Sequence, residues 1–276
     1  MISTLTMSAD VAPTAEFEDR CTNLVDSWAS GKLPYKEVLK DIAALTLDAA
    51  VRNHGADQGR VEQVVGQVES QRGNLNVGSL HFERARSFYM YVGNSVYAAR
   101  CDMNIANNFR DKGDFGRALT LYEKASEAFK AAGDVENEAL ALGCKGQALL
   151  SKGKLAAAYT DLKGCLELTG QFTSGRLDSN GLLCEVHHAL AQLYLRRQRY
   201  GVAWDRAISA YEISFEYPTA RARGFANRAV AEVLTIAGAQ PFDRRFVDDP
   251  DVYFQAASSA FQDVKSAQEC LLFGCC

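Results

Sequence analysis

The chain has no run of apolar residues long enough to span a bilayer, and Met1 to Thr14 has neither the basic start nor the apolar stretch of a signal peptide. The expectation is a soluble, cytoplasmic protein with a short disordered N-terminal tail over residues 1–14. Neither charge is in large excess: 30 basic against 34 acidic residues leave a net charge of −4 and a pI near 5.7. No global field therefore directs it to nucleic acid or to an anionic membrane. There is no CxxC pair. Of the eight cysteines, Cys21, Cys101, Cys144, Cys165, Cys184 and Cys270 stand singly, several where a helix face needs a small apolar residue. That is the pattern of reduced, buried thiols rather than of a disulfide frame or a zinc site. The terminal Cys275-Cys276 matches the double-cysteine tail of some prenylated small GTPases, but the GTPase body that such a signal needs is missing.

The vocabulary of catalysis is missing too. The sequence contains no GxxxxGK[ST], GxSxG, HExxH or GxGxxG. His187 and His188 are adjacent on a helix, so their side chains diverge by about 100° and do not share an ion unaided. His54 and His81 have no cysteine or acid at ligand spacing. The stretch RFVDDPD lacks the glycine and the closing glutamate of a calcium loop and reads as acids opposing the dipole at a helix start. Only His188, Arg228 and Glu232 offer acid–base chemistry together, with no nucleophile or cofactor loop beside them. A non-enzyme without cofactor or metal is expected.

What the chain does have is repetition. A small residue, a large apolar residue, a turn, an aromatic or Leu and then Ala recur around Gly73, Gly113, Gly153, Gln198 and Gly238, with steps of 40, 40, 45 and 40 residues. In FRDKGDFGRALTLYEKASEAF, Ile105, Ala106 and Phe109 share one face of a first helix, and Phe115, Ala118, Tyr122 and Ala125 share one face of a second. Ala106 and Ala118 allow close approach. Their counterparts are Gly66 with Gly78, Gly146 with Ala158, and Ala191 with Ala203.

At these residues the chain resembles the tetratricopeptide repeat (TPR) family over roughly Gly59 to Val264. The usual closing proline is absent, and the 40-residue step exceeds the family's common 34. The resemblance implies an all-α, right-handed superhelical solenoid of about six antiparallel helix pairs. It also implies a single repeat domain over 15–276, with degenerate capping units at 15–53 and 218–276. Phe17 to Ala29 and Tyr35 to Ala50 form the worn first pair, with Pro34 at a helix start where proline is tolerated.

The family binds peptides on the side lined by the first helices. Just past the small residue of each first helix stand Gln67, Asn107, Gln147 and Gln192, then Glu232. Amides carry donors and an acceptor, so a ladder of them can satisfy the backbone of an extended peptide whatever its sequence. One turn earlier stand Gln63, Met103, Gly143, His188 and Arg228, a set that suits a peptide with an acidic group near Arg228. Asn104 and Asn107 match part of the family's carboxylate clamp, but the lysines that complete it are absent.

Ten arginines and no lysine between Arg176 and Arg245 are offset by seven acids, an excess of only +3. Nucleic acid is not expected as a partner. The expected function is a protein–protein interaction scaffold that takes a protein or extended peptide in an amide-lined groove. The alternative is a sensor or regulatory domain within a bacterial-type signalling or effector complex.

Overall fold

A computed structural model describes residues 12–29, 32–170, 177–216, 220–238 and 245–263. The N-terminal tail up to residue 11, Cys270, the Cys275-Cys276 pair and Leu271 to Phe273 lie outside the described residues. All regular structure within them is α-helical. The helices are α1 (Ala15–Ala29), α2 (Tyr35–Arg52), α3 (Gly55–Gln71), α4 (Leu75–Tyr91), α5 (Ser95–Asp111), α6 (Phe115–Ala132), α7 (Val135–Ser151), α8 (Leu155–Thr169), α9 (Leu177–Arg196), α10 (Tyr200–Glu216), α11 (Ala220–Ala237) and α12 (Pro250–Asp263). They are six consecutive helix pairs, and the chain divides into two compact units, Met1–Ile105 and Ala106–Cys276.

The repeat is finer than 40 residues. Left-handed backbone recurs at Asn53, Gly73, Gly93, Gly113, Gly133 and Gly153, one every 20 residues, and again at Gln198 and Gly238. From Gly73 to Gly153, and again at Gln198, the helix ends with the same two hydrogen bonds. At Gly113 (φ 78°) the N–H of Gly113 donates to Arg110 O (2.8 Å) and that of Asp114 to Phe109 O (2.8 Å), satisfying carbonyls that the helix leaves open. The residue that closes one helix also starts the next. The Asp114 carbonyl accepts from Ala118 N (3.1 Å), and its carboxylate accepts from Arg117 N (3.1 Å). A three-residue connection, Lys112 to Asp114, thus reverses the chain and leads α6 back from the end of α5.

The packed faces are the apolar ones. In the first unit Phe17, Cys21, Leu24, Val38, Leu45, Ala49, Val61, Val64 and Val68 form one core across α1, α2 and α3, and Phe82, Ala85 and Tyr89 of α4 are buried beside α3. In the second unit Ala118, Tyr122, Ala125 and Phe129 form a fully buried stripe on α6. A larger core runs from Ala139 through Leu162, Leu190 and Trp204 to Tyr253. Residues 245–249 fold back so that Phe246 meets Trp204 (ring centroids 5.2 Å) and Tyr211 (5.0 Å) of α10. As expected for RFVDDPD, Asp249 stands at a helix start, its carboxylate accepting from Asp251 N (3.0 Å).

The small residues mark real close approaches. A Cβ at Gly66 would lie 2.7 Å from the Phe82 ring, one at Gly78 2.9 Å from Gly66 O, and one at Gly146 2.7 Å from Leu162 Cγ. Gly146→Ala is therefore expected to destabilise by about 1–3 kcal/mol, because overpacking outweighs the gain of up to about 1 kcal/mol in helix propensity. Gln198, with φ 57°, occupies a turn position where glycine is free of Cβ strain. Gln198→Gly is expected to stabilise by about 0.5–1 kcal/mol. Chemical denaturation of the two variants beside the wild type checks both signs.

Candidate functional site

Polar groups are distributed unequally between the two helices of a pair. The buried polar residues of the second helices are Ser79, Thr169 and Ser214, each donating its hydroxyl to a carbonyl of its own helix. The first helices bury Gln63, Glu69, Asp102, Asn108, Glu185, His187 and His188, whose side chains need partners beyond their own turn.

In the second unit these partners converge on Glu232. His188 and Gln192 project from α9, one turn apart on one face, while Arg228 and Glu232 are four residues apart on α11. The Glu232 carboxylate accepts from His188 Nε2 (2.9 Å) and Gln192 Nε2 (2.9 Å) at Oε2 and from Arg228 Nε (2.7 Å) at Oε1. An ionised carboxylate only accepts, so the proton of the first bond sits on His188 Nε2. Burial alone would raise the Glu232 carboxyl. The charge and hydrogen bond of His188 and those of Arg228 outweigh it and bring the pKa down to about 2. The His188 ring also lies against Phe225 at 5.7 Å. Four residues singled out from the sequence thus form one cluster, and Arg228, expected to meet an acidic ligand, has an internal counter-ion.

One to two turns earlier on the same helices lies a second pair, Glu185 of α9 and Arg221 of α11 (2.7 Å). Burial raises the Glu185 carboxyl, but Arg221 and Arg110 hold it below the ordinary range. The Gln147 amide lies close enough to favour the charge, though outside hydrogen-bonding geometry. Asn107 Oδ1 accepts from the Tyr122 hydroxyl (2.6 Å). In the first unit Gln63 Oε1 accepts from the Tyr89 hydroxyl (3.3 Å), Met103 is buried, Asn104 is half-buried, and Gln67 Oε1 is buried without a hydrogen-bond partner. The amides are in part structural, a role invisible in the sequence because their tyrosine partners lie 15 and 26 residues away. Glu185 and Arg221 escaped the sequence reading as well. Glu185, His188 and Gln192 follow helical spacing, as do Arg221, Arg228 and Glu232, so extending the stripe toward the helix starts finds them.

The adjacent histidines diverge as expected. His188 turns to α11, whereas His187, with Nδ1 unpartnered, is pushed down to about 4 by burial and by Arg206 of α10. Burial raises the thiols of Cys21 and Cys144 to about 11 and those of Cys101, Cys165 and Cys184 to about 12, so these five are protonated at neutral pH. Among the described residues, no three His, Cys, Asp or Glu side chains converge as ligands, and no helix is long and apolar enough to cross a membrane.

No family model and no curated protein matches the chain. Solved structures match it by fold. The apo form of RapI superposes with a TM-score of 0.62 at 14% identity, over 91% of this chain and 99% of RapI. A putative kinesin light chain from Podosopora anserina, built of nearly identical TPR-like repeats, superposes with a TM-score of 0.51 at 13% identity, over 77% of this chain and 95% of its own. The chain has a TPR-like repeat fold. At such identities the likeness reaches the helix-pair architecture of this TPR-like chain and stops there.

The Glu232 cluster gives a signed pH prediction. A carboxyl lowered from 4.5 to about 2 contributes stability that is complete above pH 4.5 and is lost as pH falls toward 2. Between pH 5 and pH 2 the wild type is expected to lose about 3 kcal/mol more than Glu232→Gln. Urea denaturation of both proteins across that range measures the difference. Any loss from His187 falls in both and cancels.

Proposed function

We propose that the chain is a non-catalytic interaction scaffold that binds a peptide or protein segment across the face shared by the first helices α7, α9 and α11. The observation that carries this reading is the asymmetry of the pairs. Among the described residues the polar residues that second helices bury are Ser and Thr hydroxyls that bond their own backbone, whereas first helices spend buried positions on Gln, Asp, Glu and His. Stability does not favour that choice, since well-packed apolar residues in place of a buried ion pair are often neutral or stabilising. Preorganised polar groups of fixed protonation are what a recognition surface needs.

The chemistry of Glu232 supports binding over catalysis. With its carboxyl at about 2 and three donors on it, it is ionised and engaged at neutral pH, and it supplies no proton to a substrate. Gln147 and Gln192 frame the cluster with amide groups suited to a peptide backbone.

The regulatory alternative draws on one further observation. Glu185–Arg221, His188–Glu232 and Gln192–Glu232 all join the first helices of consecutive pairs. A ligand competing for these bonds alters the seat of α11 on α9.

The test is selection of a phage-displayed random peptide library on the wild type, followed by affinity measurement on Gln147→Ala/Gln192→Ala, with circular dichroism confirming the fold. Selected peptides are expected to lose about tenfold in affinity, the worth of one to three hydrogen bonds. Failure to enrich any peptide, or equal affinity for both proteins, overturns the reading.

A further inference from the structure

The residue that closes one helix and starts the next forms a series: His54, Asn74, Asn94, Asp114, Asp134, Lys154 and, after the longer step, Arg199. In each the carbonyl accepts the first bond of the new helix, for instance Ala158 N to Lys154 O (2.9 Å) and Ala203 N to Arg199 O (3.0 Å). Helix starts favour Asn, Asp, Ser and Thr, whose side chains satisfy open N–H groups, and they favour negative charge. His54, Asn94, Asp114 and Asp134 accept such a bond. Lys154 makes none and sets a cation against the positive end of α8. Arg199 sets another against that of α10, and the preceding Gln198 takes the left-handed conformation that glycine holds elsewhere. Asn74 also makes no side-chain cap bond, but cations at a helix start, Lys154 and Arg199, and a left-handed residue that is neither Gly nor Asn, Gln198, occur in this series in the α7–α8 and α9–α10 connections.

These two connections are neighbours in space. Arg196 Nη1 donates to Leu150 O (2.6 Å), Arg197 lies over the Tyr159 ring at 5.8 Å, and Tyr159 meets Tyr194 at 6.3 Å. Together they expose Lys152, Lys154, Arg196, Arg197 and Arg199. No acid occurs in residues 150–157 or 195–202, and among the described residues none of the five cations pairs with a carboxylate. A chain of net charge −4 has therefore gathered five uncompensated positive charges on two adjacent turns.

We propose that the α7–α8 and α9–α10 turns form a docking surface for a short acidic segment of a partner protein. The surface lies at the ends of the helices and is separate from the Glu232 cluster. Its extent selects the partner. The connection that packs Phe246 on Trp204, near the start of α10, carries the exposed acids Asp248 and Asp249, and Asp251 opens α12 after it; these acids repel a long phosphate backbone continuing past the cations. Tyr159 is covered by Arg197 and Tyr200 is half-buried, so bases find no stacking platform. The residues between the cations, Ser151, Gly153 and Gln198, offer no apolar anchor for a bilayer. A few carboxylates match the arginine forks of Arg197 and Arg199 and the ammonium groups of Lys152 and Lys154.

The test uses fluorescein-labelled decaglutamate at low ionic strength, about 20 mM, and again at physiological salt, which weakens such contacts. Lys154→Asp/Arg199→Asp is expected to raise the thermal midpoint, because both substitutions install a proper helix cap, while weakening decaglutamate binding about tenfold. Opposite changes in stability and affinity separate a binding role from a damaged fold. Lys152→Gln/Arg197→Gln is expected to weaken binding as well, and Lys36→Asp/Lys130→Asp, elsewhere on the surface, to leave it unchanged. The proposal is overturned if decaglutamate does not bind the wild type, or binds the Lys154→Asp/Arg199→Asp variant equally well. Tighter binding of an oligothymidylate of equal charge, or of phosphatidylserine vesicles, overturns the choice of partner.

Discussion

Every helix from α2 to α7 ends at a left-handed residue one or two places after its last helical residue, and that residue recurs at intervals of 20. The following residue then closes the old helix and opens the new one, leaving no slack in the connection. Helix length, pairing and face orientation are consequences of this one constraint. A helix of 17 residues rises about 26 Å, and α3 with α4, and α7 with α8, are so nearly matched in length that each second helix packs back along its first. Were the turns longer by varying amounts, the small residues Gly66, Gly78 and Gly146 would not face the rings and carbonyls that they now approach.

Within that frame the two helices of a pair divide the work. Second helices contribute volume: Phe82, Tyr122 and Leu162 fill the space against the small residues of the first. First helices contribute bonds between pairs. In the second unit the joins are Arg196 to Leu150 O between α9 and α7, and Glu185–Arg221 and the Glu232 cluster between α9 and α11. Desolvating Glu232 is unfavourable in isolation, and the charges and hydrogen bonds of His188 and Arg228 outweigh that cost and keep it ionised. Such a cluster tolerates little displacement, which sets the seat of α11 on α9 more sharply than apolar packing would.

How much of this was legible in the sequence depended on distance along the chain. The helix pairs were, because glycine, alanine and aromatics recur at fixed steps, and Phe17–Ala29 with Tyr35–Ala50 was recognisable even as a worn copy. The half-period was missed. Gly93 and Gly133 are ordinary glycines until the backbone shows them left-handed, and Asn53 carries the same conformation without the glycine. Of the candidate site, the neighbourhood of His188, Arg228 and Glu232 was legible from register, but the Glu232 carboxylate as the shared acceptor, with Gln192 as a further donor, was not, since two helices 40 residues apart had first to be seated. The hydrogen bonds of Asn107 to Tyr122 and of Gln63 to Tyr89 were hidden for the same reason: side-chain pairing across a helix pair leaves no mark in composition or spacing.

The arginine-rich stretch illustrates the opposite error, in which the sequence window averages away a real feature. Counted from Arg176 to Arg245, seven acids reduce ten arginines to a modest excess. In the fold three of those acids are engaged elsewhere: Glu185 and Glu232 are committed between α9 and α11, and Glu212 pairs with Arg245. What remains at the turns is positive, and it is joined by Lys152 and Lys154 from a segment outside the window. α9 connects this edge to the polar face. Its early and middle turns carry Glu185, His188 and Gln192, and its last residue, Arg196, holds the α7 terminus. α9 thus carries part of the engaged cluster on its middle turns and part of the exposed cations at its end, and electrostatic attraction of an acidic partner belongs to the cations, because the charge on Arg228 is already answered from within.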